Sequence, residues 1–323
     1  MPKPILYLGT QYKDQARGQL AELSDRYQIK DKNQLEASDY AQIEIFFGSD
    51  LDTLRAIYQG EDRHLAWLQL DTAGADYLPQ EVMADPKVTV TTVSGIHAPS
   101  IAESIYGYLL GVFHQLFIYH DQQEENNWHR YEHVKNLAGK KALLYGTGHL
   151  ASEIARIGQA FGLSCYGVNT SGRPVEHFQN TYTQTSVTEQ LGKMDIIINT
   201  LPATSETENI FNQHFFKQMK INSYFINVGR GNAVVEADLQ AALEEEKIAG
   251  AYLDVFQEEP LGEDSPLWQT KNLLITPHAS GRVEHFRDDI FKIFYQNYQA
   301  YLSGNYPSIN RLDKKTATKT FAS

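Results

Sequence analysis

A single cysteine, Cys165, is all that the sequence offers for thiol chemistry. An internal disulfide is therefore excluded, and a reducing compartment fits. Cys165 lies in an apolar run with nothing nearby to stabilise a thiolate, so it reads as a buried structural thiol. Positive charge is also short: 28 Lys and Arg against 40 Asp and Glu leave a formal net charge of -12. That balance favours solubility and argues against nucleic acid or an anionic membrane as a partner. Long hydrophobic runs are missing as well. Ile5 to Leu8 is too short for the apolar core of a signal peptide. Tyr106 to Tyr119 is interrupted by His114 and Gln115 and falls short of the roughly 20 residues of a bilayer span. The cytoplasm is the expected location. The histidines, among them His97, His114 and His214, show no metal-ligand spacing with acidic partners, so no metal site is expected.

What is present is enough apolar material, 42% of 323 residues, to bury a core and to divide into two domains. The chain is organised around Lys141 to Arg173. An apolar run ends at Tyr145, Gly146-Thr147-Gly148-His149-Leu150-Ala151 follows, then a helical pattern, then a second apolar run ending at Val168. This is a strand, a glycine turn, a helix and a strand. Gly146 permits the tight turn, Gly148 lets backbone approach a pyrophosphate, and the small Ala151 lets the helix pack on the sheet. The helix N-terminus meets phosphates with free N–H groups and partial positive charge.

Before this unit, Ile5 to Leu8, Ile43 to Phe47, Leu65 to Leu70 and Val88 to Val93 read as strands. Gln11 to Tyr27 and Leu51 to Tyr58 carry helical spacing, so the first hundred residues form a small parallel α/β domain. The turn Thr72-Ala73-Gly74-Ala75-Asp76 either converges N–H groups on an anion or merely connects strand to helix. Ser100 with Glu103 has a capping-box pattern, which predicts a long helix from there through Phe117. Its apolar face is too wide for a solitary surface helix. Tyr131 and Lys135 form a Tyr-x-x-x-Lys pair on the wrong side of the glycine motif for short-chain dehydrogenase chemistry, and read as a solvated segment.

After the unit, strands are expected at Asp195 to Asn199, Ser223 to Asn227, Gly250 to Val255 and Leu273 to Thr276. Helices are expected between them, at Ser186 to Leu191, Gln213 to Met219 and Glu236 to Lys247. With the two opening strands this makes six parallel strands in a doubly wound sheet, whose ligands bind at the carboxyl ends. Three successive ends carry Gly229-Arg230-Gly231, Asp254 to Pro260, and Thr276-Pro277-His278. One arginine, one carboxylate and one histidine thus share an edge with the glycine motif.

These motifs, with Leu201-Pro202, Thr204 and Thr207, Val228-Gly229-Arg230-Gly231, Glu259-Pro260 and Pro266-Leu267-Trp268, resemble the D-isomer-specific 2-hydroxyacid dehydrogenase family. The resemblance covers nearly the whole length. It implies a Rossmann-type cofactor domain, residues 99–281, inserted into a smaller flavodoxin-like α/β substrate domain, residues 1–98 and 282–323. The helix Arg287 to Leu302 belongs to that return. It implies a homodimer that reduces a small 2-oxo acid to the D-2-hydroxy acid. The NADPH-preferring reductases of glyoxylate and hydroxypyruvate are the nearest guess.

Catalytic roles then fall to Arg230, which binds the carboxylate and polarises the carbonyl, to His278 as proton donor, and to Glu259, which hydrogen-bonds His278. Ala73, Gly74 and Ala75 join Arg230 and His278 as substrate-binding residues. Cofactor contacts are expected from Gly146, Thr147, Gly148, His149, Leu150, Asn169, Thr170, Ser171, Arg173, Leu201, Pro202, Thr207, Val228, Gly229 and Asp254. The second strand ends in Asn169 where an acidic residue would select NAD(H). Hydroxyls at Thr170 and Ser171 and the cation of Arg173 instead favour NADP(H), with NAD(H) as the other cofactor to be tested. A dinucleotide-sensing, corepressor-like binding protein of the same family is the alternative to an enzyme.

Overall fold

The structure, a computed structural model, describes residues 3–60, 62–75, 77–131, 134–312 and 314. Asp76 of the glycine turn and the tail residues 315–323 lie outside the described residues. The chain divides into two units, Met1–Ile96 with Val283–Ser323, and His97–Arg282. Among the described residues no single helix is long and apolar enough to cross a membrane.

The first unit holds a parallel five-stranded sheet in the order β2-β1-β3-β4-β5. The strands are β1 (Ile5–Leu8), β2 (Gln28–Lys30), β3 (Ile43–Phe47), β4 (Trp67–Gln69) and β5 (Thr89–Thr91). This is the flavodoxin-like order. Alternate side chains of each strand enter opposite cores, as a two-period element requires. Ile5 and Tyr7 join one, Leu6 and Leu8 the other. An irregularity between Ile5 and Leu6 lets β3 carry one extra residue, Glu44. Its carboxylate accepts hydrogen bonds from Tyr27 and Tyr301, at 2.8 and 2.9 Å.

The second unit holds a parallel seven-stranded sheet in the order β12-β11-β10-β9-β6-β7-β8. Here β6 is Lys141–Tyr145, β7 Ser164–Val168, β8 Asn180–Tyr182, β9 Ile196–Asn199, β10 Tyr224–Asn227, β11 Gly250–Leu253 and β12 Leu273–Ile275. The order reverses between β6 and β9, which opens the crevice where doubly wound sheets bind dinucleotides. Both faces are covered: Leu143, Ile197 and Phe225 pack in one core, Leu144, Ile198 and Ile226 in the other. Strands buried on both faces explain the continuous apolar runs.

Several expectations need correction. Each sheet has one more strand than expected, the edge strands β2 and β8. The helix expected over Gln11 to Tyr27 is two short pieces, Lys13–Ala16 and Leu20–Arg26, joined by a 3-10 turn. The segment expected to be helical from Ser186 forms a 3-10 turn at Thr188–Lys193. The long helix begins at Ala98, so Ser100 lies within it and does not cap it. Pro99 sits in its first turn, where a missing N–H costs nothing. That helix ends at Phe113, and a second, Leu116–Glu124, leaves it at 65° after Gln115, whose φ is +60°. Gly111 makes room for the bend, because a β-carbon there would lie 2.6 Å from the Phe117 ring. Lys135 is not merely solvated: its Nζ donates to the Tyr224 hydroxyl at 3.0 Å and lies over that ring.

Candidate active site

The glycine turn leaves β6 and enters the helix His149–Ala160. Gly146 has φ +98°, which favours glycine. Gly148 is the N-cap, and a β-carbon there would meet no atom within 4 Å. The first intrahelical bond runs from Ser152 N–H to Gly148 C=O, so the N–H groups of His149, Leu150 and Ala151 precede it. This cradle fits a dinucleotide pyrophosphate. The helix is clamped from behind: Tyr106 donates to Ile154 C=O at 2.6 Å, and Ala151 is fully buried. Two glycines that the motif did not single out make this packing possible. A β-carbon at Gly158 would lie 2.5 Å from the Tyr106 hydroxyl, and one at Gly167 would lie 2.6 Å from Thr147. A glycine inside an amphipathic helix was the available signal for the first.

Asn169 follows β7 and organises the next loop. Its Nδ2 donates to Arg173 C=O at 3.0 Å and to Thr147 Oγ1 at 3.4 Å, and its Oδ1 accepts from Ser171 N–H at 3.2 Å. Thr181 Oγ1 ties down the Gly172 and Arg173 carbonyls, each at 2.8 Å. Thr170, Ser171 and Arg173 are exposed. The Arg173 guanidinium has no hydrogen-bond partner among the described residues.

The ends of β9 and β10 are joined by two fully buried amides that sequence reasoning passed over. Asn199 Nδ2 donates to Asn227 Oδ1 at 2.9 Å. Asn199 Oδ1 accepts from Leu201 N–H, Asn227 Oδ1 accepts from Gly229 N–H, and Asn227 Nδ2 donates to Arg230 C=O, at 3.0, 3.1 and 3.1 Å. The pair therefore fixes both the Leu201-Pro202 loop and the arginine loop. An asparagine closing each apolar strand was the visible signal. Thr207 Oγ1 donates to Pro202 C=O at 2.8 Å, folding the first loop on itself. Val228 is buried, and a β-carbon at Gly229 would lie 2.7 Å from Leu201 C=O.

Beyond β10 come the charged side chains. Arg230 is exposed, its guanidinium donating only to Gly229 C=O at 2.8 Å among the described residues. His278 Nδ1 lies 2.7 Å from Glu259 Oε2, and Glu259 Oε1 accepts from Phe256 N–H at 3.0 Å. Burial pushes the Glu259 carboxyl up, but the bonds from His278 and Phe256 and the charges of His278 and Arg230 outweigh it and hold the carboxyl below its ordinary range. An ionised carboxylate only accepts, so Nδ1 carries a proton and Nε2 is the nitrogen left for exchange. Asp254, buried after β11, gives its carboxylate to the loop that carries His278. A cavity of about 490 Å³ adjoins the pair, lined by Phe256, Leu261, Trp268, Ile275 and Pro277.

Arg230, Glu259 and His278 thus follow β10, β11 and β12 on the sheet edge that also carries the cradle. The profile of the D-isomer specific 2-hydroxyacid dehydrogenase NAD binding domain matches residues 106–280. The chain belongs to this family. A family protein from Aeromonas salmonicida subsp. salmonicida A449 shares 31% identity, with 97% of this chain and 100% of that one covered and a TM-score of 0.76. Phosphoglycerate dehydrogenase from Lactobacillus plantarum shares 35% identity over 95% and 100% of the chains, with a TM-score of 0.58. In fold the chain is also similar to an NADPH-dependent glyoxylate/hydroxypyruvate reductase from Sinorhizobium meliloti, crystallised with NADP and sulfate. The identity is 24%, the coverage 98% and 100%, and the TM-score 0.73.

Ala73, Gly74 and Ala75 belong to the first unit, in the turn after β4, where Thr72 Oγ1 donates to Gly74 C=O at 2.8 Å and meets the Tyr77 hydroxyl at 2.6 Å. Cys165 is buried, as its apolar run implied. No group of His, Cys, Asp and Glu suited to a metal ion occurs among the described residues.

Proposed function

We propose that this dehydrogenase reduces a small 2-oxo acid to the D-2-hydroxy acid, with NADPH preferred over NADH. The observation that carries the reading is the 2.7 Å bond between His278 and Glu259 on the sheet edge shared with Arg230 and the glycine cradle. The cradle residues Gly146 to Leu150 would hold the dinucleotide, whose reduced nicotinamide would supply a hydride when bound. The substrate carboxylate and carbonyl oxygen are the work of Arg230, whose planar fork forms charged hydrogen bonds worth roughly 1.5–3 kcal/mol each. As the carbonyl carbon gains the hydride, its π electrons move to oxygen and His278 Nε2 delivers the proton. Glu259 keeps the ring oriented and offsets the charge of its protonated form. The contribution of Ala73, Gly74 and Ala75 to carboxylate binding is carried over from the family pattern.

Support for NADPH comes from the β7 exit. Asn169 there is neutral, so nothing at that position repels a 2'-phosphate, while Thr170, Ser171 and Arg173, whose guanidinium has no hydrogen-bond partner among the described residues, are exposed beside it. Asn169→Asp should shift the NADPH/NADH ratio of kcat/KM toward NADH. Glyoxylate and hydroxypyruvate head a panel of 2-oxo acids to be assayed with both reduced cofactors. Turnover should fall about 10²–10⁴-fold in His278→Ala, the usual contribution of a general acid. Near-full activity of that variant on the best substrate would end this mechanism, and a clear NADH preference of the wild type would end the cofactor assignment. The reading includes a homodimer, consistent with the exposed Phe117, Ile118 and Trp128. Sedimentation as a monomer would remove that part.

A further inference from the structure

The cavity beside the proton-transfer pair has a chemistry of its own. At about 490 Å³ it falls within the ordinary range of small-molecule sites, roughly 300–1,000 Å³. Its walls are Phe256, Pro260, Leu261, Trp268, Ile275 and Pro277, with His278 and Glu259 at one side, and all belong to the second unit. The two charged residues are already paired with each other at 2.7 Å. Among the described residues no Lys or Arg lines the space. Such a surface favours hydrocarbon over water and offers nothing to hold a second carboxylate or a phosphate. Trp268 is 48% exposed and nonetheless held in place. Its Nε1 donates to Gly262 C=O at 2.8 Å, and the short 3-10 turn that carries it, Pro266–Gln269, is anchored by the buried Leu267. An indole whose only polar atom is satisfied presents the rest of its ring as apolar surface.

The position of the cavity limits what enters it. A 2-oxo acid carries three groups on its reacting carbon: the oxygen, the carboxylate and a side chain. The oxygen goes to His278 Nε2 and the carboxylate to Arg230. Arg230 is not among the lining residues, although its loop abuts them, since a β-carbon at Gly231 would lie 1.8 Å from Phe256 C=O. The side chain is the group left for the space beside His278. We propose that this cavity receives the substrate side chain and that Trp268 is its specificity-determining wall. The favoured substrates are 2-oxo monocarboxylic acids with an extended or aromatic apolar side chain. Glyoxylate, which has no side chain, and hydroxypyruvate, which has a hydroxymethyl group, leave most of the cavity unfilled. The inference rests on the reductase reading for its kinetics, but not for the binding.

The test uses the full chain and separates those two parts. With NADPH, the series is glyoxylate, pyruvate, 2-oxobutyrate, 2-oxopentanoate and phenylpyruvate. Each buried methylene is worth about fourfold, so kcat/KM should rise on the order of tenfold from pyruvate to 2-oxopentanoate. 2-Oxoglutarate matches 2-oxopentanoate in length but ends in a second carboxylate, and should be poorer by at least about tenfold. Trp268→Ala should flatten the series, bringing the ratio of 2-oxopentanoate to pyruvate within about threefold of one. Leu261→Trp, which fills the same space, should lower that ratio too and serves in case Trp268→Ala fails to fold. Binding is read without turnover, with NADP present. There 2-oxopentanoate should quench tryptophan fluorescence in the wild type and not in Trp268→Phe, since Trp67 is fully buried in the first unit and Trp128 does not line the cavity. A flat series from glyoxylate to 2-oxopentanoate, or a preference for 2-oxoglutarate, overturns the proposal and leaves the reductase reading in place. Retention of the full chain-length ratio in both Trp268→Ala and Leu261→Trp also overturns it. If no 2-oxo acid is reduced yet the quenching is seen and depends on Trp268, the reductase reading fails and the cavity assignment stands.

Discussion

Adding one methyl group to either of two glycines in the second unit should have opposite consequences. Gly231 follows Arg230, and a β-carbon built on it would lie 1.8 Å from Phe256 C=O and 1.9 Å from the carbonyl carbon. Both are backbone atoms of the loop after β11, so no side chain can rotate away. To reach van der Waals separation the arginine loop and the Glu259 loop must part by about 1.5 Å or more, against packing that tolerates little expansion. Overpacking of this kind costs about 3 kcal/mol, the upper part of its ordinary range. For a unit of this size that lowers the melting temperature by roughly 6–12 °C. At Gly148 no atom stands within 4 Å of the same methyl group, and φ is −80°, open to any residue. Gly148→Ala should therefore melt within about 2 °C of wild type, inside the ordinary range of surface substitutions. Its cost should appear instead as weaker dinucleotide binding, because the added methyl group occupies the cradle. Differential scanning calorimetry with NADPH titration by fluorescence measures both. Wild-type melting of Gly231→Ala, or unchanged NADPH affinity in Gly148→Ala, would refute the reasoning.

Two further outcomes follow from proton equilibria. A carboxyl lowered by folding, as that of Glu259 is, adds stability above its unfolded value of about 4.3, and the addition is lost as pH falls through the folded value. The advantage of wild type over Glu259→Gln in urea midpoint should thus shrink as pH falls below about 4.3, and a constant difference would count against the ion pair. Burial pushes the Cys165 thiol up to about 12, so the native protein should resist a thiol-disulfide reagent near pH 8 and react once unfolded in urea. Prompt labelling of the native chain would contradict that burial.

Elements whose information is local were legible. Apolar runs such as those at β6 and β9 are buried on both faces, and glycine positions at the β6 turn follow from steric demand. The charged residues at the ends of β10 to β12 could be grouped because strand ends share an edge. Missed features depend on partners distant in sequence. β2 and β8 are three-residue edge strands, partly exposed and containing polar residues, and only pairing with one neighbour defines them. The bend at Gln115 interrupts an apolar sequence that reads equally well as one helix. Asn199 and Asn227 look like ordinary strand terminators until their side chains are seen to face one another. Lys135 finds Tyr224, which no spacing rule connects to it.

That asparagine clamp has a consequence for kinetics. Amides do not ionise in the working range of an enzyme, so the joint between the Leu201 loop and the arginine loop neither gains nor loses a proton as pH is changed. Its hold on Arg230 C=O is the same on either limb of a rate profile. A change of rate with pH can then be read as titration of the reacting groups rather than as slackening of this part of the scaffold. The site keeps its pH-sensitive chemistry and this strand-to-strand fastening in different functional groups.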